Sequence, residues 1–304
     1  MLRIFLAAAL LVPCLAHAEP AIQEQWYTVL LDGRKIGQFE DRREVRDGRV
    51  LSRQHMQIEL DRAGTRVSLG SLESAEETLD GKPLAFTNET RMSGSGETRI
   101  VGLVEAGEVT VRNSNAGVEN ERRMAWPDGA LLPEGLRLAL LAARIEEGAS
   151  FRNRAFQPAT LEAVEVTSTV GPMEAVDLPG GRRQLRRIEQ GFAFPGAVIR
   201  STAWIDGERE VRKLSIPTLG IEMTLLECDQ ACATAPNQPA DIFEHTLVRA
   251  SRALRGEELA NGLRYRFVPT TRDGRIELPA TGEQRVAREG RTVIVEVRRQ
   301  AGAA

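Results

Sequence analysis

Asp-Gly dipeptides punctuate this chain and separate segments in which apolar and polar residues alternate. Examples are the pairs at positions 32–33, 47–48, 80–81, 206–207 and 273–274. Asp-Gly suits tight hairpin turns, because glycine accepts positive φ at no steric cost and aspartate tolerates it. In the segment 56–61 the even positions are apolar and the odd positions polar, which predicts a strand with one buried face. The pattern predicts a mainly β protein with a large antiparallel sheet.

One segment breaks this pattern and predicts a helix at about 132–147. Pro133 stands where a first helical turn would begin, residues 136–145 are mostly Leu, Ala and Ile, and Gly148 follows. Apolar residues cover most of the circumference, so we expect a curved sheet to wrap this helix. A membrane-surface helix would carry a strongly cationic face, and here only Arg137 and Arg144 are cationic.

The first eighteen residues resemble a secretory signal peptide. Arg3 precedes an apolar run at 4–15, and Ala16-His17-Ala18 has the small-x-small form of a cleavage site. We therefore expect export to the periplasm or the medium, with a soluble mature chain that has lost Cys14 and His17.

Composition divides the remaining chain into three parts. We predict an antiparallel β domain with one buried helix at 19–228, a linker at 229–241 and a small β module at 242–304. The linker is placed by two prolines, small residues and loss of periodicity. The sequence does not determine the oligomeric state.

Charge argues against nucleic acid as a partner. The chain carries 40 Lys and Arg against 43 Asp and Glu, a net charge of -3, with no uniformly basic segment. Nucleic-acid-binding domains carry a clustered basic surface, so none is expected here.

Two cysteines, Cys228 and Cys232, remain in the mature chain. In an oxidising compartment they could form a short-range disulfide. On a regular helix their Cα separation would lie near the upper limit for bridging, so a disulfide requires an irregular segment.

The sequence predicts no catalytic residue, no metal site and no cofactor. Cys228, Cys232 and His245 could supply three zinc ligands, but a second ligand pair is missing, and His55 stands at an outward position. No Gly-x-Ser-x-Gly or Ser-x-x-Lys motif occurs. Carboxylates are plentiful, so a glycosidase-type pair stays open without positive support.

Several segments resemble the N-terminal β-rich accessory region of exported bacterial transglutaminase-like proteins, and the likeness covers most of residues 25–297. The similar segments are 26–37, 79–84, 155–161, 203–207, 219–223 and 278–284. In that family a catalytic cysteine, histidine and aspartate follow this region, and no residue here matches them. The sheet-and-helix pattern also resembles exported carriers of the lipoprotein-carrier type, in which a curved sheet shelters an apolar ligand.

These observations favour an exported, non-catalytic accessory or binding module associated with a transglutaminase- or peptidase-like system of the envelope. Its partner would be an envelope protein, a polymer or an apolar ligand. One alternative is a transglutaminase-like or thiol enzyme that uses Cys228 or Cys232. The other is a carrier of lipid or another apolar ligand.

Overall fold

The computed structural model describes residues 21–62, 65–94, 96–115, 117–218, 221–238, 252–257, 262–269, 274, 276–278, 280–281 and 284–297. The predictions for the signal peptide and for His245 lie outside these residues. The chain divides into two compact units, residues 1–245 (unit 1) and 246–304 (unit 2).

The described residues of unit 1 form one fifteen-stranded sheet and two short helices. The strands are β1 Ala21–Leu31, β2 Arg34–Arg46, β3 Arg49–Arg62, β4 Thr65–Thr78, β5 Pro83–Met92, β6 Gly96–Glu105, β7 Glu108–Asn115, β8 Val118–Ala125, β9 Ala130–Leu131, β10 Ser150–Gln157, β11 Glu162–Leu178, β12 Gly181–Phe194, β13 Ala197–Ile205, β14 Val211–Thr218 and β15 Ile221–Cys228. The helices are α1 Pro133–Ala142 and α2 Gln230–Ala233.

The sheet order is β8-β7-β6-β5-β4-β3-β2-β1-β15-β14-β13-β12-β11-β10-β9. Neighbours are antiparallel except β9 and β10, which are parallel. Tight turns set much of this order: Asp32 and Gly33, then Asp47 and Gly48, all have positive φ between consecutive strands. The predicted mainly β fold with a large antiparallel sheet is confirmed.

The two edge strands of the sheet are consecutive in the chain, so the sheet must curl to bring its ends together. β8 forms one edge and β9 the other, yet only the four residues 126–129 separate them. The Trp126 amide donates to the Gly107 carbonyl between β6 and β7, and its indole Nε1 donates to the Ala130 carbonyl at 3.2 Å. An apolar cluster therefore joins strands from both ends of the sheet, namely Ala75, Phe86, Ile100, Val109, Val111, Ala130, Leu132, Phe156 and Leu161.

Helix α1 lies on the concave face and is capped by a residue far from it in sequence. Leu132 precedes the helix and offers no side-chain cap. The carboxylate of Glu77 on β4 instead accepts the backbone N–H groups of Glu134 at 2.7 Å and Gly135 at 2.9 Å. Gly81 has φ +76, and an added Cβ there would lie 2.8 Å from the Gly135 Cα. The turn before β5 thus receives the helix by backbone contact.

The helix is shorter than the sequence predicts and is buried mainly in its first turn. It ends at Ala142 because Ala143 adopts extended backbone, and Gly148 lies in the following loop. Glu134 and Gly135 are buried, whereas Leu141 is 41% exposed. The sheet therefore holds the helix by its N-terminal end, and the apolar C-terminal half is only partly covered.

Unit 2 contains a three-stranded antiparallel sheet in the order β16-β18-β17. Its strands are β16 Leu263–Phe267, β17 Gln284–Glu289 and β18 Thr292–Val297, and the central strand buries Val293, Ile294 and Val295. The predicted small C-terminal β module is confirmed. Within the described residues, neither helix is long and apolar enough to cross a membrane.

Candidate functional site

A row of amide and carboxylate side chains crosses five neighbouring strands of unit 1. Gln25 on β1 lies opposite Asp41 on β2, which lies opposite Gln54 on β3. Gln54 lies opposite Glu73 on β4, and Glu73 lies opposite Asn88 on β5. We call these five residues the polar row. Side chains directly opposite one another in antiparallel strands share a face, so the row forms a continuous polar band across the sheet.

The polar row occupies the concave face, where apolar side chains would be expected. On four of the strands, the residue two positions away on the same face belongs to or packs against an apolar cluster, and these residues are Tyr27, Phe39, Ala75 and Phe86. Burial of amides and carboxylates costs free energy unless each one finds a hydrogen-bond partner. The row therefore interrupts a surface that the fold otherwise uses as its core.

The three amide side chains of the row each donate a hydrogen bond to a carboxylate. The Gln25 amide donates to Glu210 Oε2 at 2.9 Å. The Gln54 side chain donates to Asp41, and the Asn88 side chain donates to Glu73. Three amide–carboxylate pairs thus satisfy the row without a guanidinium or ammonium partner.

Burial changes the protonation of two of these acids. Desolvation raises the pKa of Asp41 to about 6, the hydrogen bond from Gln54 opposes the rise, and the charge of Glu210 adds to it. Desolvation also raises the pKa of Glu73, against the hydrogen bond from Asn88. Asp41 is therefore poised to change protonation state just below neutral pH.

Four residues of the row, Gln25, Asp41, Gln54 and Glu73, line a cavity of about 430 Å³ in unit 1. Pockets that bind small molecules commonly have roughly 300–1,000 Å³, so this one is large enough for such a ligand. The opposite wall comes from β10 to β12 and includes Asn153, Ser168 and Gln190. Phe151 and Phe192 line the same wall and add apolar ring faces to it.

Helix α1 covers part of the cavity and is tied to β2 by a buried ionic cluster. Glu134, 1% exposed, accepts two hydrogen bonds from Arg43 at 2.8 and 2.9 Å. It accepts two more from Arg137 at 2.8 and 2.7 Å. Burial by itself would raise the pKa of Glu134, but hydrogen bonds from Arg137 and Arg43 outweigh it and lower the pKa to about 2. Each guanidinium makes a two-point contact with the Glu134 carboxylate through its Nε and Nη2 atoms.

The other end of the helix is held by Arg209, from the turn between β13 and β14. Its guanidinium donates to the carbonyl oxygens of Leu140, at 2.6 Å, and Leu141. Arg209 has φ +67, and its amide donates to the Asp206 carbonyl at 3.1 Å. Non-glycine residues adopt positive φ at a cost, so the surrounding turn holds Arg209 in this conformation. Helix α1 is thus fixed at both ends above the cavity.

Tyr27 connects the row to the same turn region. Its hydroxyl lies 2.7 Å from Gln25 Oε1 and 2.7 Å from the Val211 carbonyl. Burial, with nearby carboxylates, raises the pKa of Tyr27 well above its ordinary value. The phenol therefore stays neutral and acts as a hydrogen-bond donor.

Cys228 and Cys232 form a disulfide with a Cα separation of 6.0 Å. Cys228 ends β15 and Cys232 lies in α2, so the chain turns a corner between them, and Asp229 caps α2 by accepting the Cys232 amide at 2.8 Å. This corner supplies the irregular backbone that the sequence argument required. Neither cysteine is among the residues that line the cavity.

The first part of the predicted linker 229–241 is attached to the sheet. The Gln238 amide donates to the Lys35 carbonyl at 2.7 Å, and Lys35 Nζ donates to Asn237 Oδ1 at 3.0 Å. Residues 229–238 therefore belong to unit 1, and residues 239–241 lie outside the described part of the chain.

The remaining sequence candidates do not meet in the cavity. His55 lies opposite Glu40, with Nδ1 3.9 Å from a Glu40 carboxylate oxygen, and it is not among the cavity-lining residues. Within the described ranges, no group of three or more His, Cys, Asp and Glu residues could hold a metal ion.

The sequence analysis missed the polar row. The alternation in β3 places Gln54 in phase with Met56 and Ile58, so an inward amide could have been read from that strand. Its partners on other strands could not, because hairpin lengths and a bulge at Glu76/Glu77 set which residues lie opposite one another.

The comparisons with known proteins bear on the fold. No protein-family model matches the chain, and no curated protein matches it. Among solved structures, it is similar to a β-barrel-like protein of the domain of unknown function DUF1849 from Brucella abortus. The two are 16% identical with a TM-score of 0.50, and the match covers 68% of this chain and 95% of the other. At this identity the likeness concerns fold and not function.

Proposed function

We propose that this protein is an exported, non-catalytic binding module of the cell envelope, and that its interior cavity holds a polar ligand. The observation that carries the proposal is the polar row, of which four residues line a cavity of about 430 Å³. The resemblance to the accessory region of transglutaminase-like proteins supports a role beside an envelope enzyme, in which the chemistry belongs to another domain or protein.

The polar row occupies positions where apolar side chains would be expected. Apolar side chains at these positions could be buried without hydrogen-bond partners, whereas each amide and carboxylate needs hydrogen bonds to offset its desolvation. Asp41, Gln54 and Glu73 all lie in the cavity wall, where a ligand could use their remaining hydrogen-bonding capacity. Ligand binding would explain why polar residues stand at these positions, whereas the stability of the fold does not require them there.

The same wall argues against nucleophilic catalysis by a serine, cysteine or lysine side chain. Among the described residues that line the cavity there is no histidine, cysteine or lysine. Ser52 and Ser168 line it, so a nucleophilic hydroxyl there would have no histidine beside it to act as a base. The thiol-enzyme alternative requires the disulfide between Cys228 and Cys232 to be reduced first.

One observation favours the apolar-carrier alternative. Leu136, Leu140, Phe151, Phe156 and Phe192 also line the cavity, beside the helix where the sequence analysis placed an apolar ligand. The polar row shares that space, so an apolar ligand would have to cover amides and carboxylates. This mismatch makes a polar ligand the better proposal.

Binding in the cavity can be tested with two glutamine variants on the same strand. Gln54 lines the cavity. Gln57 lies on the opposite face of β3, where its Oε1 accepts a hydrogen bond from Gln38 Nε2 at 3.0 Å. The mature protein is purified from an envelope extract and its retained small molecules are measured by native mass spectrometry. Wild type and Gln57→Ala should retain the same molecule, and Gln54→Ala should lose it.

Two results would overturn the proposal. Equal retention by both variants would show that the cavity is not the binding site. Turnover of a peptide or ester substrate by the purified wild type would show that the module is an enzyme.

A further inference from the structure

Charges of both signs line the interior cavity, and this limits the ligands that it can accept. The acids are Asp41, Glu73, Glu134 and Glu210, and the bases are Arg43, Arg137 and Arg209. We infer that the ligand is neutral and rich in hydroxyl groups, with the size and chemistry of a small saccharide. This inference rests on the proposed binding function.

An anionic ligand would have to compete with contacts that the three guanidinium groups of the lining already make. Arg43 and Arg137 each make two hydrogen bonds to Glu134, and Arg209 donates to the two helix carbonyls. A carboxylate or phosphate would also lie close to Asp41 and Glu73, and no cationic side chain is among the groups that shift the pKa of either acid. Recognition of such anions ordinarily uses free, bidentate arginine.

A cationic ligand meets the opposite difficulty. Arg43, Arg137 and Arg209 place three positive charges on the lining, and Arg43 and Arg137 share the single negative charge of Glu134. The arginine pair around Glu134 therefore opposes a second cation on the side of helix α1. An amine would gain from Asp41, Glu73 and Glu210 but would be repelled from the side of helix α1.

A hydroxyl group suits the amide–carboxylate pairs, because it donates one hydrogen bond and accepts others. In each pair the amide nitrogen still has a second N–H, and the carboxylate still has lone pairs. The pairs follow neighbouring strands, which lie about 4.8 Å apart, so donors and acceptors repeat along the wall. Several hydroxyls on one ligand could therefore be bound side by side.

The wall opposite the row suits the less polar side of a sugar ring. Phe151 and Phe192 line that wall with apolar rings, and Gln190 and Asn153 add amides to it. Phe192 lies opposite Val166 on β11 and Ile199 on β13, so its surroundings are otherwise apolar. A cavity with polar groups on one side and rings on the other accommodates a molecule whose edge is hydroxylated and whose face carries C–H groups.

The ligand class can be tested by isothermal titration calorimetry of the full mature protein. The probes are glucose, N-acetylglucosamine and maltose as saccharides, spermidine as a cation, citrate as an anion and oleate as a lipid. We expect at least one saccharide to bind, and its affinity to change less than about twofold between low and high salt, because a neutral ligand is little affected by screening. Spermidine, citrate and oleate should not bind in the cavity.

Matched variants locate the binding. Gln54→Ala and Glu73→Gln should each weaken saccharide binding about tenfold, as expected for one lost hydrogen bond to the ligand. Gln57→Ala, on the outer face of β3, should bind as wild type does. Circular dichroism checks that each variant is folded, and Gln25→Ala, at another lining residue of the row, replaces any variant that is not.

The outcomes separate this inference from the proposed function. If spermidine, citrate or oleate binds and Gln54→Ala weakens it while no saccharide binds, the ligand class is wrong and the binding function stands. If a saccharide binds equally well to wild type, Gln54→Ala and Glu73→Gln, the cavity is not its site and both ideas fail. If no probe binds, the inference of a small saccharide ligand is overturned.

Discussion

The rings of Phe86 and Phe156 lie 5.1 Å apart between centroids, although nine strands separate β5 from β10 in the sheet order. Trp126 completes the contact, with its ring 4.4 Å from that of Phe156. Tilted aromatic pairs at such distances stabilise beyond the area that they bury. This contact joins the two ends of the sheet and so creates the interior in which the polar row lies.

Packing at this contact can be tested with two strand glycines. Gly102 lies opposite Phe86, and a Cβ at position 102 would overlap the Phe86 ring. We expect Gly102→Ala to lower the free energy of unfolding by about 1–3 kcal/mol, as overpacked cores do. Urea denaturation measures it. Gly70→Ala is the control, because a Cβ there meets nothing within 4 Å. Equal stability of the two variants would show that the Phe86 contact is not tightly packed.

Glu77 links helix α1 to β4, and its removal should loosen the helix. The side chain is fully buried and accepts the first backbone N–H groups of the helix. Glu77→Ala would leave those donors without a partner, so we expect a loss of about 2–4 kcal/mol in urea denaturation. The neighbouring Glu76 pairs with Arg49 near the surface, and Glu76→Ala should cost less than about 1 kcal/mol. A loss below 1 kcal/mol for Glu77→Ala would contradict the capping role.

Asp41 should make stability depend on pH. Its pKa rises from 3.8 to about 6 on folding, so the folded state holds the proton more tightly than the unfolded state does. Stability is therefore fully retained below pH 3.8 and falls as the pH rises through about 6. Asp41→Asn removes this penalty and should be more stable than wild type by about 1–2 kcal/mol at pH 7.5, with the difference vanishing near pH 4.

The pH dependence is measured by urea denaturation at pH 4 and pH 7.5. Asp177→Asn is the control, because that side chain is 86% exposed at the end of a long hairpin. A gain from Asp41→Asn that is the same at both pH values would argue against a buried ionised carboxylate.

The disulfide should stabilise the corner between β15 and α2. Cys228 and Cys232 enclose a short loop, for which chain entropy gives about 2 kcal/mol. Reductant should lower the unfolding free energy of wild type by about that amount and leave the Cys228→Ser/Cys232→Ser variant unchanged. Amide exchange at Gln238, which donates to the Lys35 carbonyl, should quicken in the variant. A similar effect of reductant on both proteins would assign the loss to something other than this bond.

Local pattern predicted much of the fold. The Asp32-Gly33 and Asp47-Gly48 turns form as expected, because two consecutive residues with positive φ suit a two-residue hairpin. At Asp206-Gly207 the dipeptide predicts positive φ at the wrong residues, because Arg209 adopts the positive φ in this turn. Helix α1 also ends early, because Ala143 is extended and Arg209 takes the carbonyls of Leu140 and Leu141.

The site was far less predictable than the fold. Gln54 has the inward phase of its strand, which a period of two reveals. Asp41 and Glu73 become its neighbours only through the register of three strands, and Glu210 joins them from more than 130 residues further along the chain. No local pattern encodes such distances.

The sequence by itself determined that this chain forms strands, hairpins, a helix near Pro133 and a small C-terminal module, because turn chemistry and side-chain alternation act over a few residues. Only the tertiary structure decided that Phe86 and Phe156 meet across the sheet, that Glu77 caps α1 and that most of the polar row lines a cavity. The reason is physical: burial and charge pairing depend on which distant residues meet, and that is set by register and curvature over the whole sheet.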